Sequence, residues 1–248
     1  MTRSSAEVEK IREASGIVAE TLELVSKRIT PGITTGELDE IAEDYIRSRS
    51  ARPAFKGYYG FPATLCISID NEVVHGIPGD RELQSGELVS IDCGAEKNGY
   101  YGDHARTFTV GEVDEMRQRL IGATSTALEK GIDQARNGNH LYDIGHAVQS
   151  YAESQGFSVV RQLVGHAIGT QLHEEPQVPN YGKAGTGPKL KAGMVFAIEP
   201  MLNEGTYEIY TGDDGWTVFT ADGKLSAHFE HTVLISENGP EILSKPIE

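Results

Sequence analysis

Apolar residues recur at three- and four-residue steps from the start of the chain. Val8, Ile11, Ser15, Val18, Leu22, Val25 and Ile29 fall on one stripe, which predicts an amphipathic helix stopped by Pro31-Gly32. A second helix is predicted from a Thr34 or Thr35 cap to about Ser50, with Leu38, Ile41, Tyr45 and Ile46 inward. Residues 62–110 change character. They are rich in Val, Ile, Phe and Thr and broken at Asp70-Asn71, Pro78-Gly79 and Asn98-Gly99, which predicts strands and hairpins. Helical spacing returns with Met116, Leu120, Ala123, Ala127 and Leu128, up to about Gly138, and again with Leu141, Ile144, Val148, Tyr151 and Ala152, ending before Gly156. Strand-like segments then run from Phe157 to Ile235.

The order is helix, helix, strands, twice over. Pro31-Gly32 followed by Leu38 and Ile41 parallels Asn137-Gly138 followed by Leu141 and Ile144. That likeness fits a duplication, although any two amphipathic helices resemble each other. An α+β layer fold, with helices on one face of a largely antiparallel sheet, suits the pattern. The expectation is one domain of two halves, about residues 5–110 and 113–240.

Acids sit where strands should exclude them. Asp92 lies in LVSIDCG, Glu199 in MVFAIEPML, Glu230 in AHFEHTVLIS, and Asp103 follows the turn in DCGAEKNGYYGDHARTF. Any one of them could be a turn or edge residue in water. Four in runs this apolar need another account, because withdrawing a carboxylate from water costs about several kcal/mol even after relaxation. Arg106 could neutralise one, and no other cation is close in sequence to Glu199 or Glu230. Two divalent cations would balance all four charges. A hairpin turning over Glu96–Gly99 would set Asp92 and Asp103 opposite each other, at a Cβ spacing of about 4.5–5.5 Å, so that they could share one ion or bridge two.

His166 and His173 lie seven residues apart in LVGHAIGTQLHEEP, and His75 closes an apolar strand in NEVVHGIPG. A lone histidine is more often a hydrogen-bonded structural residue than a ligand. Beside these carboxylates, imidazole suits Mn, Fe, Co or Zn better than Mg or Ca. His104, His140 and His146 read as surface or helix residues. His228 and His231 flank Glu230, with His231 on the opposite strand face, and proximity allows them a supporting role.

Bulk properties narrow the field. The chain has 248 residues, 38% hydrophobic and 24% charged, and reads as globular. A net charge of −15 with no Lys/Arg run speaks against nucleic-acid binding. Cys66 and Cys93 are too few for a disulfide framework, which points to a reducing compartment. MTRSSAEVEK has no apolar core of a secretory leader, and no apolar run approaches a membrane span.

Taken together, NEVVHGIPG, IDCG, GDHARTF, GHAIGTQLHEEP, FAIEPML and FEHTVLIS resemble type I methionine aminopeptidases over nearly the whole chain. The resemblance implies the pita-bread fold, a pseudo-twofold α+β structure around a curved antiparallel sheet. It implies a dinuclear metal site on Asp92, Asp103, His166, Glu199 and Glu230, loaded with two divalent ions (Co, Mn, Fe, Ni or Zn) that share the attacking water, with Asp103 and Glu230 bridging them. It implies Glu199 as general base, His173 beside the oxyanion and His75 at the scissile amide. The methionine pocket would fall on Phe55, Tyr58, Phe61, Cys66, His75, Leu172, His173 and Trp216. Cleavage would require a small second residue. Nascent polypeptide N-termini, met in the cytoplasm and at the ribosome, would be the partners of a monomeric enzyme that binds neither DNA nor membrane. Ala167, Leu172 and His228 depart from the commonest pattern and bear on pocket shape. The absence of a long insertion between His173 and Glu199 fits the short bacterial-type form. The alternatives are a prolidase or aminopeptidase P of the same fold, and a non-catalytic binding relative.

Overall fold

A computed structural model of the chain describes residues 2–246. Helix α1 (Ser5–Ser26) starts at a capping box, in which the Ser4 hydroxyl accepts from the Glu7 N–H and the Glu7 carboxylate accepts from the Ser4 N–H. Its predicted stripe is buried from Val8 to Val25. The helix ends at Ser26, short of Pro31-Gly32, so Ile29 lies beyond it and packs on the core from the following turn. Helix α2 (Thr35–Ser48) carries the same device, Thr34 with Glu37, and buries Leu38, Ala42 and Ile46. Helices α3 (Glu115–Gln134, capped by Asp114) and α4 (Leu141–Ser154) repeat the arrangement in the second half of the chain. No helix among the described residues is long and apolar enough to cross a membrane.

The strands form two principal antiparallel sheets. In the first, Leu88–Lys97 pairs with Arg52–Pro53, Leu65–Ile69 and Tyr100–Thr109. In the second, five strands run in the order Gly239–Ile242, His231–Ser236, Val195–Ile198, Gly165–Ala167, Glu174–Val178. Helix α1 packs on the first sheet, and the apolar residues of α3 and α4 pack against the second. The sheets meet where Tyr100–Thr109 reaches His231–Ser236. There the Glu230 N–H donates to the Ala105 carbonyl at 2.9 Å, and Thr232 binds the backbone of Asp103. Site residues from both halves converge on this seam.

Asn98-Gly99 forms the expected tight hairpin turn, with φ of 54° and 79°, and Lys97 faces Tyr100. The register corrects one expectation. Asp103 pairs with Gly94 and Asp92 with Ala105, so the two acids are diagonal neighbours rather than opposites. The turn is centred one residue later than anticipated, which slides the partner by two. A two-residue slip leaves both side chains on one face, whereas a one-residue slip would have separated them.

Candidate active site

Asp92 and Asp103 reach the site from mid-strand, and Glu199 and Glu230 from just beyond strand ends. Asp92 and Asp103 come from the hairpin. Ile198 pairs with His231, and Glu199 and Glu230 are the next residues outward on those two strands, so they emerge side by side. His166 pairs with Ala197 on the adjoining strand. The ligand atoms of Asp92, Asp103 and Glu230 lie within 4.8 Å of one another, and so do those of His166, Glu199 and Glu230. Glu230 is common to both groups. A third such group joins Asp103, His166 and His173. His166 Nε2 stands 3.5 Å from Glu199 Oε1 and 3.8 Å from Asp103 Oδ2.

No Lys or Arg among the described residues pairs with these four acids. Arg106, a possible partner by sequence, lies exposed with its guanidinium 5.1 Å from the centre of the Phe108 ring. Asp103 and Glu230 are 3% and 2% exposed, and Asp92 Oδ1, Asp103 Oδ1 and Glu230 Oε1 are buried without a hydrogen-bond partner. Burial lifts the Asp92 carboxyl to about 7. Burial first, then the neighbouring carboxylates, pushes Asp103, Glu199 and Glu230 well above the usual range. Unpartnered buried carboxylate oxygens facing one another are unfavourable for the protein alone. A mixed carboxylate–imidazole donor set of this kind fits divalent cations.

Histidines surround the cluster in neutral form. Burial lowers His166 to about 3 and lowers His75 as well, and the protein packed around the ring lowers His173 to about 4 although that residue keeps an exposed edge. The His173 ring meets that of His166 edge-on at 4.3 Å, and its Nδ1 lies 2.9 Å from the Tyr58 hydroxyl. His75 holds a left-handed backbone, φ 61°, which is uncommon for a non-glycine residue and frequent at functional sites. His228 Nε2 lies 3.7 Å from Glu199 Oε2 with no hydrogen-bond partner, which places it behind that carboxylate.

A cavity of about 330 Å³ opens directly on the cluster. Its apolar wall is Phe55, Tyr58, Phe61, Cys66, Leu172 and Trp216, with His75 and His173 between wall and acids. Phe61 and Trp216 pack edge to face at 5.2 Å. Every residue singled out from the sequence for the site lines this one cavity. Tyr59 lines it too and was not anticipated. It is 88% exposed with φ 47°, and its only sequence signal is the Tyr-Tyr pair in GYYG. A second cavity of about 310 Å³ shares His75, Asp92, His166, His173 and Glu199 and continues past them along Val74, Leu163 and Met201.

His104 differs from expectation. It is 5% exposed rather than at the surface, its Nδ1–H donates to the Glu230 carbonyl, and its ring stacks on His231 at 4.4 Å. It faces away from the carboxylates because it follows Asp103 on a pleated strand, where successive side chains alternate. His231 alternates with Glu230 in the same way and binds Ser244.

Residues 9–237 match the model of metallopeptidase family M24. A protein of Clostridium perfringens named methionine aminopeptidase is 55% identical over 98% of this chain and 97% of its own length. Methionine aminopeptidase 1 of Bacillus subtilis is 51% identical over 95% of each chain. Among solved structures, the methionine aminopeptidase of Rickettsia prowazekii superimposes with a TM-score of 0.97 at 43% identity, covering 98% of this chain and 99% of that one. Prolidase from Pyrococcus furiosus shares the fold with a TM-score of 0.79 at 25% identity, and this chain covers 66% of it. The fold is thus the pita-bread fold common to both enzymes. By its sequence, its fold and the cluster at its centre, the chain belongs to metallopeptidase family M24 and, within it, to the methionine aminopeptidases.

Proposed function

We propose that this protein hydrolyses the first peptide bond of polypeptides that begin with methionine followed by a small residue. The observation that carries the reading is the apolar cavity set directly on five side chains able to ligate metal, of which Asp103, His166 and Glu230 are buried and Asp92 and Glu199 half-buried. Asp92, Asp103, His166, Glu199 and Glu230 would hold two divalent cations. When bound, such cations supply Lewis acidity and bring the pKa of a water molecule toward neutrality.

The remaining work falls to the chain's own groups. Phe55, Phe61, Cys66, Leu172 and Trp216 enclose an unbranched thioether side chain, to which ring contacts contribute about 0.3–1.5 kcal/mol each. Glu199 takes the proton of the attacking water and passes it to the departing nitrogen. The Tyr58 hydroxyl lies 2.9 Å from His173 Nδ1; with the hydroxyl assigned as donor, the proton of the neutral ring stands on Nε2, where it can stabilise the developing oxyanion. His75 contacts the scissile amide. The substrate chain would continue along the second cavity, beyond His75 and His173. We further place this reaction on nascent chains in the cytoplasm, carried out by a monomer of one catalytic domain, with residues of about 5–110 and 113–240 as its halves.

The test is release of methionine from Met-Ala-Ser by protein stripped of metal and reloaded with Mn, Fe, Co, Ni or Zn. Metal-dependent release, with Xaa-Pro peptides left intact, is the expected result. Cleavage of Xaa-Pro peptides alone would make the protein a prolidase-type relative. Metal binding without cleavage of either would make it a binding protein.

A further inference from the structure

The loop that brings Leu172 and His173 into the cavity is fastened from the other end of the chain. Glu174 follows His173 directly, and its carboxylate is shared between two tasks. Oε1 accepts from the Thr170 N–H at 2.8 Å, the Gln171 N–H at 3.1 Å and the Thr170 hydroxyl at 3.2 Å. Oε2 accepts from the guanidinium of Arg3. The two side chains are 4% and 13% exposed, so this is a nearly dry ion pair. Gly169, in the same loop, lies so close beneath Arg3 that a Cβ would overlap the guanidinium.

Arg3 is anchored independently of the loop it holds. Its N–H donates to the Gly193 carbonyl at 2.7 Å, and the Gly193 N–H donates to the Ile235 carbonyl at 2.8 Å, which ties both to the second sheet. A second carboxylate, from the Glu7 capping box of α1, stands 3.9 Å from its guanidinium. The geometry points to Arg3 as a positioning residue of the active site: through Glu174 and Gly169 it holds the 169–173 loop in the shape that presents His173 and Leu172 to the substrate. This rests on the methionine aminopeptidase reading above.

A carboxylate left nearly buried without its counter-charge draws in water or turns outward. Either response releases the two backbone N–H groups that shape the loop. His173 then loses its setting against Tyr58, while the five metal ligands, held by their strands, stay in place. A small misplacement of a reacting group costs on the order of 10²-fold in rate.

The test compares Arg3→Ala, Arg3→Lys and Glu174→Gln with the wild type, all metal-loaded, on Met-Ala-Ser. Metal content and the melting transition are recorded beside kcat and KM. The expected result for Arg3→Ala is a fall in kcat/KM of about 10- to 100-fold with wild-type metal stoichiometry. Arg3→Lys should fall between, because a single ammonium cannot reproduce the guanidinium fork. Millimolar methylguanidinium should restore part of the Arg3→Ala activity and leave the wild type unchanged. If Arg3→Ala does not fold, Arg3→Lys and Glu174→Gln carry the comparison. Wild-type kcat/KM in the folded variants, or losses that only track metal content or folded fraction with no rescue, would overturn the proposal. A wild-type protein that releases no methionine would instead overturn the functional reading beneath it.

Discussion

Thr232 holds both backbone groups of Asp103: its hydroxyl donates to the Asp103 carbonyl at 2.8 Å and accepts from the Asp103 N–H at 3.1 Å. The residue is fully buried, and it joins the hairpin of the first half to a strand of the second. Thr232→Val keeps the shape and removes both bonds. Stranding two buried backbone groups should cost about 1–3 kcal/mol, seen as a lower melting temperature. Because Asp103 is one of the proposed metal ligands, metal affinity should weaken by roughly 10- to 100-fold. A Thr232→Val protein with wild-type affinity by calorimetry would show that this seam does not position Asp103.

His173→Ala should separate chemistry from metal binding. The five proposed ligands are untouched, so metal content should stay at the wild-type level, while kcat falls by roughly 10²–10³-fold with the loss of the proposed oxyanion donor. Parallel loss of metal and activity would make His173 a ligand, in keeping with its place beside Asp103 and His166.

The raised carboxyls give metal binding a pH signature. Asp92 at about 7, with Asp103, Glu199 and Glu230 also held well above the usual carboxylate range by burial and one another's charge, means that the metal-free site retains protons near neutral pH. A raised folded-state pKa contributes stability below the unfolded value of about 4 and loses it as pH rises through the folded one. The buried histidines act oppositely. His166 and His228, held at about 3, lose stability as pH falls from about 6.5. Metal replaces the protons on the acids. Calorimetric titration near pH 7 in two buffers of different ionisation heat should therefore show net proton release on metal binding, and the metal-induced rise in melting temperature should grow from about pH 6 to 8. Binding without proton release would contradict the burial argument.

Trp216→Ala should act on substrate rather than metal. The indole meets Phe61 edge to face and lines the apolar wall. Its removal should lower kcat/KM for Met-Ala-Ser by at least about tenfold, which equals about 1.4 kcal/mol, with metal content unchanged. An unaltered kcat/KM would place the methionine side chain elsewhere.

Much of this was legible in the letters because the informative signals are local. Asn98-Gly99 between alternating runs is a strong hairpin signal, and Thr34 marks the start of the second helix, where the structure completes the cap with Glu37. Acids inside apolar strands exposed the cluster, since only the site's chemistry explains their position. What escaped was non-local. His104 reads as a surface or helix residue until the seam brings the Glu230 carbonyl, 126 residues away, onto its ring. Arg3 meets Glu174 across 171 residues, and no pattern in either segment announces it. Arg106 was the converse case, near the acids in sequence but exposed on the other side of the strand.

The central claim is that four carboxylates and one imidazole share two cations. Crystals soaked in Mn or Co and measured at the metal's absorption edge test it most directly. Two anomalous peaks are expected, one against Asp92 and the other against His166 and Glu199, both within the cluster that Asp103 and Glu230 complete. No peak in this cluster at saturating metal, or a single ion that leaves Asp92 or His166 uncoordinated, would contradict it.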